Sequence, residues 1–262
     1  MMKLDIDYIA SKLKNGFFEH EVSRWEDFND VICNTMLDHN HYIWRGQRSA
    51  DWLLESNLDR LIKKYKISNQ DIGGHLNNFK FATRGRRGTN PVTIETDDGW
   101  WALGQHHGLA TPLLDWTTSP YVAAYFAFKE ESDINGGRRA IYALNHLAVT
   151  KKCNEIVNAK PDTGEQDSIK FIQPLSDENP RLVNQSGLFS KAPIGIDIET
   201  WVKEKFAEIS NRIYLMKIVL PDQERDIVLK ALNRMNINHL TLFPDLSGAS
   251  EFCNTSLKIR KY

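Results

Sequence analysis

Hydrophobic residues recur at helical spacing in several segments of the chain. Over residues 25–36 they fall three or four positions apart, which predicts a helix with Ser23 as a suitable N-cap. The same spacing over residues 51–65 predicts a second helix. Residues 120–130 predict a third, because Ser119 can cap it and a proline suits its first position. A fourth helix, with apolar residues at 227–235, follows Pro221 and Asp222.

Short apolar runs predict strands at residues 41–44, 140–144, 215–219 and 239–243, with another around Phe171. Two glycines and a proline make residues 85–91 a loop, and a glycine pair at 136–137 predicts a turn. The span 151–186 lacks strong periodicity, so we predict that it is mostly connection. Short strands mixed with helices predict an α+β fold with flanking helices, whose strand order stays open.

Length and composition indicate an ordinary globular protein. The 262 residues suit one compact unit, with residues 1–40 as an N-terminal helical segment packed on a domain of residues 41–262. A net charge of −1 gives no overall field for nucleic acid. Three separated cysteines form neither a disulfide framework nor a metal spacing. Without a signal peptide or a bilayer-spanning stretch, we expect a cytoplasmic protein that does not contact membranes.

Arg45 and Ser119 each allow a functional and a structural interpretation. An arginine at a strand end before Gly46 can hold a phosphate, or it can pair with a carboxylate within the fold. Ser119 follows Thr118 and can act as a helix cap without any ligand.

His106 and His107 are adjacent, and their side chains diverge too far to bind one metal ion together. We therefore predict no metal site. His107 is either a buried, hydrogen-bonded histidine or a group that binds ribose hydroxyls or the target. Arg84, Arg86 and Arg87 form either a solvated basic loop or, beside two phenylalanines, a surface for single-stranded nucleic acid.

Several of these motifs together resemble the FRG domain family. They are the run W-W-A-L-G-Q-H-H-G-L-A-T-P-L-L-D-W-T-T-S-P-Y-V-A-A-Y-F-A-F at residues 100–128, the segment W-R-G-Q at residues 44–47, and L-F-P-D-L at residues 242–246 with Glu251. Trp44 stands where the family has Phe or Tyr. The order of the motifs is also similar to that of Arg-Ser-Glu-type ADP-ribosyltransferases, which implies an ADP-ribosyltransferase-like core.

That resemblance implies roles for named residues. Arg45, with Gly46 and Gln47, would contact the NAD diphosphate. Ser119, with the neighbouring Thr118 and Tyr125, would shape the nicotinamide–ribose site, and His107 would bind ribose. A carboxylate would stabilise the oxocarbenium-like ribose, and Glu251 is preferred over Asp245, which follows the predicted final strand. The segment around Gln185 resembles a further family motif. Gln185 would select the target or bind NAD, or it is a buried glutamine paired to backbone, which fits at least as well.

The implied function is NAD-dependent ADP-ribosyl transfer to a macromolecule. Arg84, Arg86 and Arg87 favour RNA or DNA over protein as the acceptor, with RNA preferred. Proteins with this domain resemble toxins and phage-defence effectors, which implies an antitoxin partner. Two alternatives stay open: an NAD glycohydrolase, and a module that senses nucleotides or nucleic acid without turnover.

Overall fold

The computed structural model describes residues 6–131, 137–173, 187–208 and 211–262. The strands are β1 Phe17–Glu21, β2 Tyr42–Gln47, β3 Leu113–Thr117, β4 Arg138–Asn145, β5 Lys170–Ile172, β6 Gly187–Lys191 and β7 Leu215–Pro221. The first helices are α1 Ile6–Lys12, α2 Trp25–Val31, α3 Asn57–Tyr65, α4 Asn69–Ala82, α5 Asp97–His106 and α6 Pro120–Phe128. The later helices are α7 His146–Ala159, α8 Ile198–Lys205, α9 Arg225–Arg234, α10 His239–Leu242 and α11 Leu246–Lys258. A π-helical turn, Ile32–Met36, continues α2, and a 3-10 turn, Asp222–Glu224, precedes α9.

The described strands form one mixed sheet in the order β1-β7-β4-β2-β3-β6-β5. β1 pairs with β7 in parallel, and the other neighbours pair antiparallel. The predicted α+β fold is therefore confirmed. The sheet places β2, which carries Arg45, between β4 and β3, so this strand lies inside the sheet rather than at an edge.

Alternating side chains of the sheet enter two hydrophobic cores, one on each face. Ile141 and Ala143 of β4 pack on the side of α2, α6 and α9. Tyr142 and Leu144 of the same strand pack on the side of α7 and α8. Because both faces are covered by helices, β4 is apolar at every position from Ala140 to Leu144.

Helix α6 lies unusually close to strand β2 because of Gly46. A Cβ atom at this position would come within 1.9 Å of the Ala123 carbonyl oxygen and 2.5 Å of the Ala127 nitrogen. Ala123 and Ala127 are themselves fully buried. Only glycine permits this approach, which brings the C-terminal end of α6 alongside the residues that follow Arg45.

Several predicted boundaries need correction. The helix predicted at residues 25–36 is capped by Arg24 rather than Ser23, and the Arg24 N–H donates to the Asp27 carboxylate at 3.1 Å. The helix predicted at 51–65 begins only at Asn57, because the Ser56 side chain caps it there. The helix beginning at Pro120 and its Ser119 cap are confirmed, as is the loop at residues 85–91.

Three further predictions were wrong in part or in full. Residues 239–242 form helix α10 instead of a strand, because Asn238 and Thr241 make a capping box. The span predicted as connection contains most of α7, whose cap is Asn145, although the strand around Phe171 is confirmed as β5. The N-terminal segment is not purely helical, since β1 joins the sheet.

Gln185 and Gly136, for which the sequence predicted a binding role and a turn, lie outside the described residues. Within the described ranges, no helix is both long enough and apolar enough to cross a bilayer.

Candidate functional site

A cleft of about 450 Å³ lies where β2, β3 and α6 meet. Its volume is within the usual range of small-molecule sites. Among the described residues, four cationic side chains and two carboxylates line the cleft: Arg45, Arg48, Arg60, Lys129, Asp115 and Glu130. The cleft therefore carries an excess of positive charge, although the whole chain is close to neutral.

Arg45 extends from β2 into this cleft, and only 19% of its side chain is exposed. Its Nη1 donates to the Asp115 carbonyl oxygen at 2.8 Å and lies 3.6 Å from the Asp115 carboxylate. Burial lowers the pKa of Arg45, the Asp115 charge opposes that shift, and the Arg60 charge adds to it. In the described structure its Nε is buried without a hydrogen-bond partner. The guanidinium is thus a desolvated cation whose neighbours compensate it only in part.

A chain of hydrogen bonds holds Asp115 beside Arg45. Thr111 donates from its hydroxyl to the Gln105 side-chain oxygen, and Gln105 Nε2 donates to Asp115 Oδ2 at 2.9 Å. The residues come from the end of α5, the following loop and β3. Because 58% of the Asp115 side chain is still exposed, its carboxylate can orient Arg45 and also contact a ligand.

Gln47 lies two positions beyond Arg45 and is only 3% exposed. Its Nε2 donates weakly to the Leu53 carbonyl oxygen at 3.4 Å, whereas its Oε1 has no hydrogen-bond partner in the described structure. The Leu53 contact fixes which amide atom is the donor, so the unpartnered atom is an acceptor.

A second cluster of charged side chains, besides Arg45 and Asp115, lies at the rim of the cleft. Arg48 pairs with Glu130 at 2.9 Å, and Lys129 lies 3.5 Å from the same carboxylate. Lys129 and Glu130 directly follow α6, so the close approach allowed by Gly46 brings them to the rim. On the other side, the guanidinium carbons of Arg48 and Arg60 lie 5.1 and 5.3 Å from the Trp52 ring centroid.

The model of the FRG domain family matches residues 40–136 of this chain. Residues 40–136 are an FRG domain. Neither a search of curated proteins nor a search of solved structures found a match. All the cleft-lining residues belong to the FRG domain except Phe189 and Phe243. The motifs of this domain that are far apart in sequence, at Arg45, Gln105 and Asp115, meet in one hydrogen-bonded network.

Other predicted site residues of the FRG domain lie away from the lining. Ser119 is partly buried and accepts a hydrogen bond from the Val122 N–H at 3.3 Å, as a helix cap does. Thr118 is exposed, whereas Thr117 lines the cleft and accepts from the Ser119 N–H at 3.1 Å. His107 caps the end of α5, and the neighbouring His106 lines the cleft in its place.

Tyr125 points into the core and is only 1% exposed. Its hydroxyl bonds to His239 Nδ1, and burial raises the pKa of Tyr125. The His239 ring stacks on Phe243, with centroids 5.1 Å apart, and Phe243 lines the cleft. Tyr125 therefore lies behind the cleft wall, separated from a ligand by these rings.

The predicted carboxylates at the C-terminal end also lie outside the cleft lining. Asp245 is not at a strand end, as the sequence suggested; it caps α11 and accepts from the Gly248 N–H at 2.9 Å. Glu251 is exposed on α11 and accepts from Asn254 Nδ2 at 3.3 Å. Within the described part of the chain, the carboxylates that do line the cleft are Asp115 and Glu130.

The basic loop lies apart from the cleft lining, and two of its arginines bind the backbone on either side of the loop. Arg86 donates to the Ala82 carbonyl oxygen at 2.8 Å, and Arg87 donates to the Val92 carbonyl oxygen at 2.6 Å. Arg87 also lies over the Trp100 ring at 5.1 Å, while Arg84 is exposed. These contacts hold the loop in place, and its binding of nucleic acid stays a prediction.

Within the ranges that the structure describes, no group of three or more His, Cys, Asp or Glu side chains is arranged to hold a metal ion. The sequence did not single out Trp52, Arg60, Lys129 or Glu130, which all line the cleft. None lies in a recognisable short motif. A weak signal for the last pair was available, since both lie at the C-terminal end of the helix predicted over residues 120–130, although α6 itself ends at Phe128.

Proposed function

We propose that the FRG domain binds NAD in this cleft and transfers its ADP-ribose to a macromolecular acceptor. The observation that supports the proposal most is the buried Arg45 in a cleft with more cations than carboxylates. A desolvated, incompletely paired guanidinium favours an anionic ligand, and its planar donors suit the oxygens of a diphosphate.

The proposed assignment of NAD begins with Arg45 at the diphosphate, oriented by Asp115 and Gln105. Gly46 lets α6 approach closely, and Gln47 offers a buried acceptor to an N–H or hydroxyl group of the ligand. Thr117 and His106 occupy cleft positions next to the predicted Ser119 and His107, so they provide the hydroxyl and imidazole that a ribose contacts.

The proposed reaction breaks the bond between the nicotinamide nitrogen and ribose C1′. The electron pair of that bond goes to the pyridinium ring, which leaves as neutral nicotinamide. A nucleophile of the acceptor forms the new bond to C1′ and loses its proton to water or to a carboxylate of the cleft. The cationic ribose needs a nearby negative charge. Glu130 and Asp115 are the carboxylates in the cleft, and Glu130 is the one outside the Arg45 network.

A second candidate function is nucleotide binding without turnover. It is favoured by the placement of Glu251 and Asp245 outside the cleft lining, and by the pairing of Glu130 with two cations. A paired carboxylate is a weaker stabiliser of a developing positive charge, because its own field is partly cancelled. Such a domain would hold a nucleotide and report its presence to a partner.

Labelled substrate distinguishes these functions. The purified protein is incubated with NAD that carries ³²P in its adenylate phosphate, together with RNA, DNA or bacterial lysate. We expect label on a macromolecule, with RNA preferred, and loss of that label in Arg45→Gln. Free labelled ADP-ribose alone would identify an NAD glycohydrolase. Saturable NAD binding without any product would identify the non-catalytic module, and neither binding nor product would contradict the proposal.

Growth on induction provides a cellular test. If the transfer modifies an essential macromolecule, wild-type protein expressed without its partner should arrest growth, as for a toxin or phage-defence effector. The Arg45→Gln form, expressed to the same level, should not. Growth that is unaffected by an active transferase would remove the toxin part of this proposal and leave the chemistry in place.

A further inference from the structure

Trp52 lies at the rim of the cleft, and 40% of its surface is exposed. Large indole rings are usually more buried than this in a globular fold. It follows a short turn in which the Trp52 N–H donates to the Ser49 carbonyl oxygen at 3.4 Å, so its ring is presented by the segment between β2 and α3.

Two arginines contact the same ring. The guanidinium carbons of Arg48 and Arg60 lie 5.1 and 5.3 Å from the indole centroid. Arg48 is paired with Glu130, but Arg60 makes no ion pair with any described residue. Two cations beside one indole repel each other, and Arg60 also disfavours the charge of Arg45. An anion bound at this rim would relieve both repulsions.

We propose that Trp52, Arg48 and Arg60 form a subsite for one nucleotide. The base stacks on the exposed part of the indole or on a guanidinium plane, and the phosphate lies between the two arginines. This inference deepens the proposed function and rests on it, because it assigns a second nucleotide contact in the same cleft. Two ligands share the required chemistry: the adenosine half of NAD, and a nucleotide of a single-stranded RNA acceptor.

Arg60 is better placed to bind a nucleotide phosphate than the arginines of the basic loop at residues 85–91. Arg86 and Arg87 already donate hydrogen bonds to backbone carbonyl oxygens next to their loop, and Arg87 also lies over the Trp100 ring. Arg60, in contrast, makes one long hydrogen bond of 3.4 Å to the Leu53 carbonyl oxygen. Its donors are therefore more available to a phosphate.

The test measures binding of three probes to Trp52→Ala and Trp52→Phe. Calorimetry follows NAD and nicotinamide mononucleotide, which lacks the adenosine half, and anisotropy follows a fluorescein-labelled ten-nucleotide RNA. Tyr65→Ala is the matched control, since Tyr65 is an exposed ring outside the cleft lining. The loss of one stacked base should weaken binding by about tenfold or more in Trp52→Ala, and Trp52→Phe should restore most of it.

Each outcome has one meaning. Weaker binding of NAD but not of the mononucleotide supports the subsite and identifies the base as adenine of the donor. Weaker binding of RNA alone supports the subsite and assigns it to the acceptor, and Arg60→Gln should then lower the salt dependence by about one phosphate contact. Affinities in Trp52→Ala equal to wild type for all three probes would overturn the inference, as would a wild type that binds none of them.

Failure of the subsite and failure of the proposed function can be told apart. If labelled NAD is turned over while Trp52→Ala matches wild type, only the subsite is wrong. If RNA binding depends on Trp52 but NAD neither binds nor reacts, the subsite stands and the proposed transferase does not.

Discussion

The buried guanidinium of Arg45 has partners on one side only. Its Nη1 contacts Asp115, whereas its Nε has no partner in the described structure. A charge in this situation is costly for folding and becomes favourable when an anion completes its contacts. At the scale of single residues, these contacts support the proposed binding of an anion in the cleft.

The carboxylates give the sharpest prediction at this scale. Glu130→Gln should lower kcat by about a hundredfold with little change in KM, because only the charge that faces the developing cation is lost. Asp115→Asn should instead raise KM, since Asp115 orients Arg45. Steady-state kinetics of NAD consumption measures both. A large loss of kcat in Glu251→Gln, with Glu130→Gln active, would return the catalytic role to the residue that the sequence favoured.

The sequence predicted Arg45 but not Glu130 or Trp52, and the reason is physical. Arg45 lies in the segment W-R-G-Q, which resembles a motif of the FRG family. Glu130 and Trp52 are ordinary in their local context. Their importance arises from tertiary placement, because residues 48, 52 and 130 meet only after β2, α3 and α6 have packed together.

At the scale of elements, the contact between β2 and α6 sets the shape of the cleft. Strand β2 presents Arg45 and Gln47, and Lys129 and Glu130, which follow the end of α6, line the same cleft. The carbonyl oxygens at the end of α6 are held by buried Arg139, which donates to Ala127 at 2.8 Å and to Glu130 at 3.0 Å. The position of Lys129 and Glu130 is thus fixed by the packing of α6 on β2 and by the hydrogen bonds from Arg139.

Gly46→Ala tests this contact. The added methyl would meet the Ala123 carbonyl oxygen at 1.9 Å, so the helix and the strand must move apart. We expect a loss of about 1–3 kcal/mol in the free energy of unfolding, measured by urea denaturation, together with weaker NAD binding. Gly85→Ala is a suitable comparison, since a methyl added there would meet no atom within 4 Å and its cost arises from a positive φ alone. Unchanged stability in Gly46→Ala would contradict the close approach.

Helix α6 could be predicted from its end signals, whereas two other capped helices could not. A serine cap followed by proline located α6. The Asn145 cap of α7 was not recognised, and the β-branched and apolar composition of residues 239–243 suggested a strand where the Asn238 cap decides for a helix. In a helix of only four residues, a capping box outweighs the intrinsic strand propensity of the sequence, because it satisfies two otherwise unpaired backbone N–H groups at once.

At the scale of the whole molecule, one mixed sheet covered on both faces supports the cleft. The fold class could be predicted, because helical spacing of apolar residues alternates along the chain with short apolar runs typical of strands. The strand order could not be predicted. β1 near the N-terminus pairs with β7 in the C-terminal part of the chain, and such long-range pairing leaves no local trace in sequence. The same holds for Phe189 and Phe243, which complete the cleft from outside the FRG domain.

Stability should fall in mild acid. Burial lowers the pKa of His20 and His239, so the folded state holds both imidazoles neutral. Below the unfolded value of about 6.5 the unfolded chain takes up protons first, and stability is lost as the pH falls from there toward the folded pKa values. Thermal melting between pH 8 and pH 5 measures this loss. It should be smaller in His239→Gln, and an equal loss in that variant would exclude His239 as a contributor.

The central claim is that Arg45 binds the diphosphate of NAD in this cleft, and calorimetric titration with NAD tests it most directly. Three proteins are compared: wild type, Arg45→Gln, and Arg260→Gln as a control at an exposed arginine outside the cleft lining. We predict saturable binding to wild type and to the control. We predict a loss of about tenfold or more in Arg45→Gln, with its melting temperature close to that of wild type. Equal NAD affinity in Arg45→Gln, or no binding to the wild type, would contradict the account.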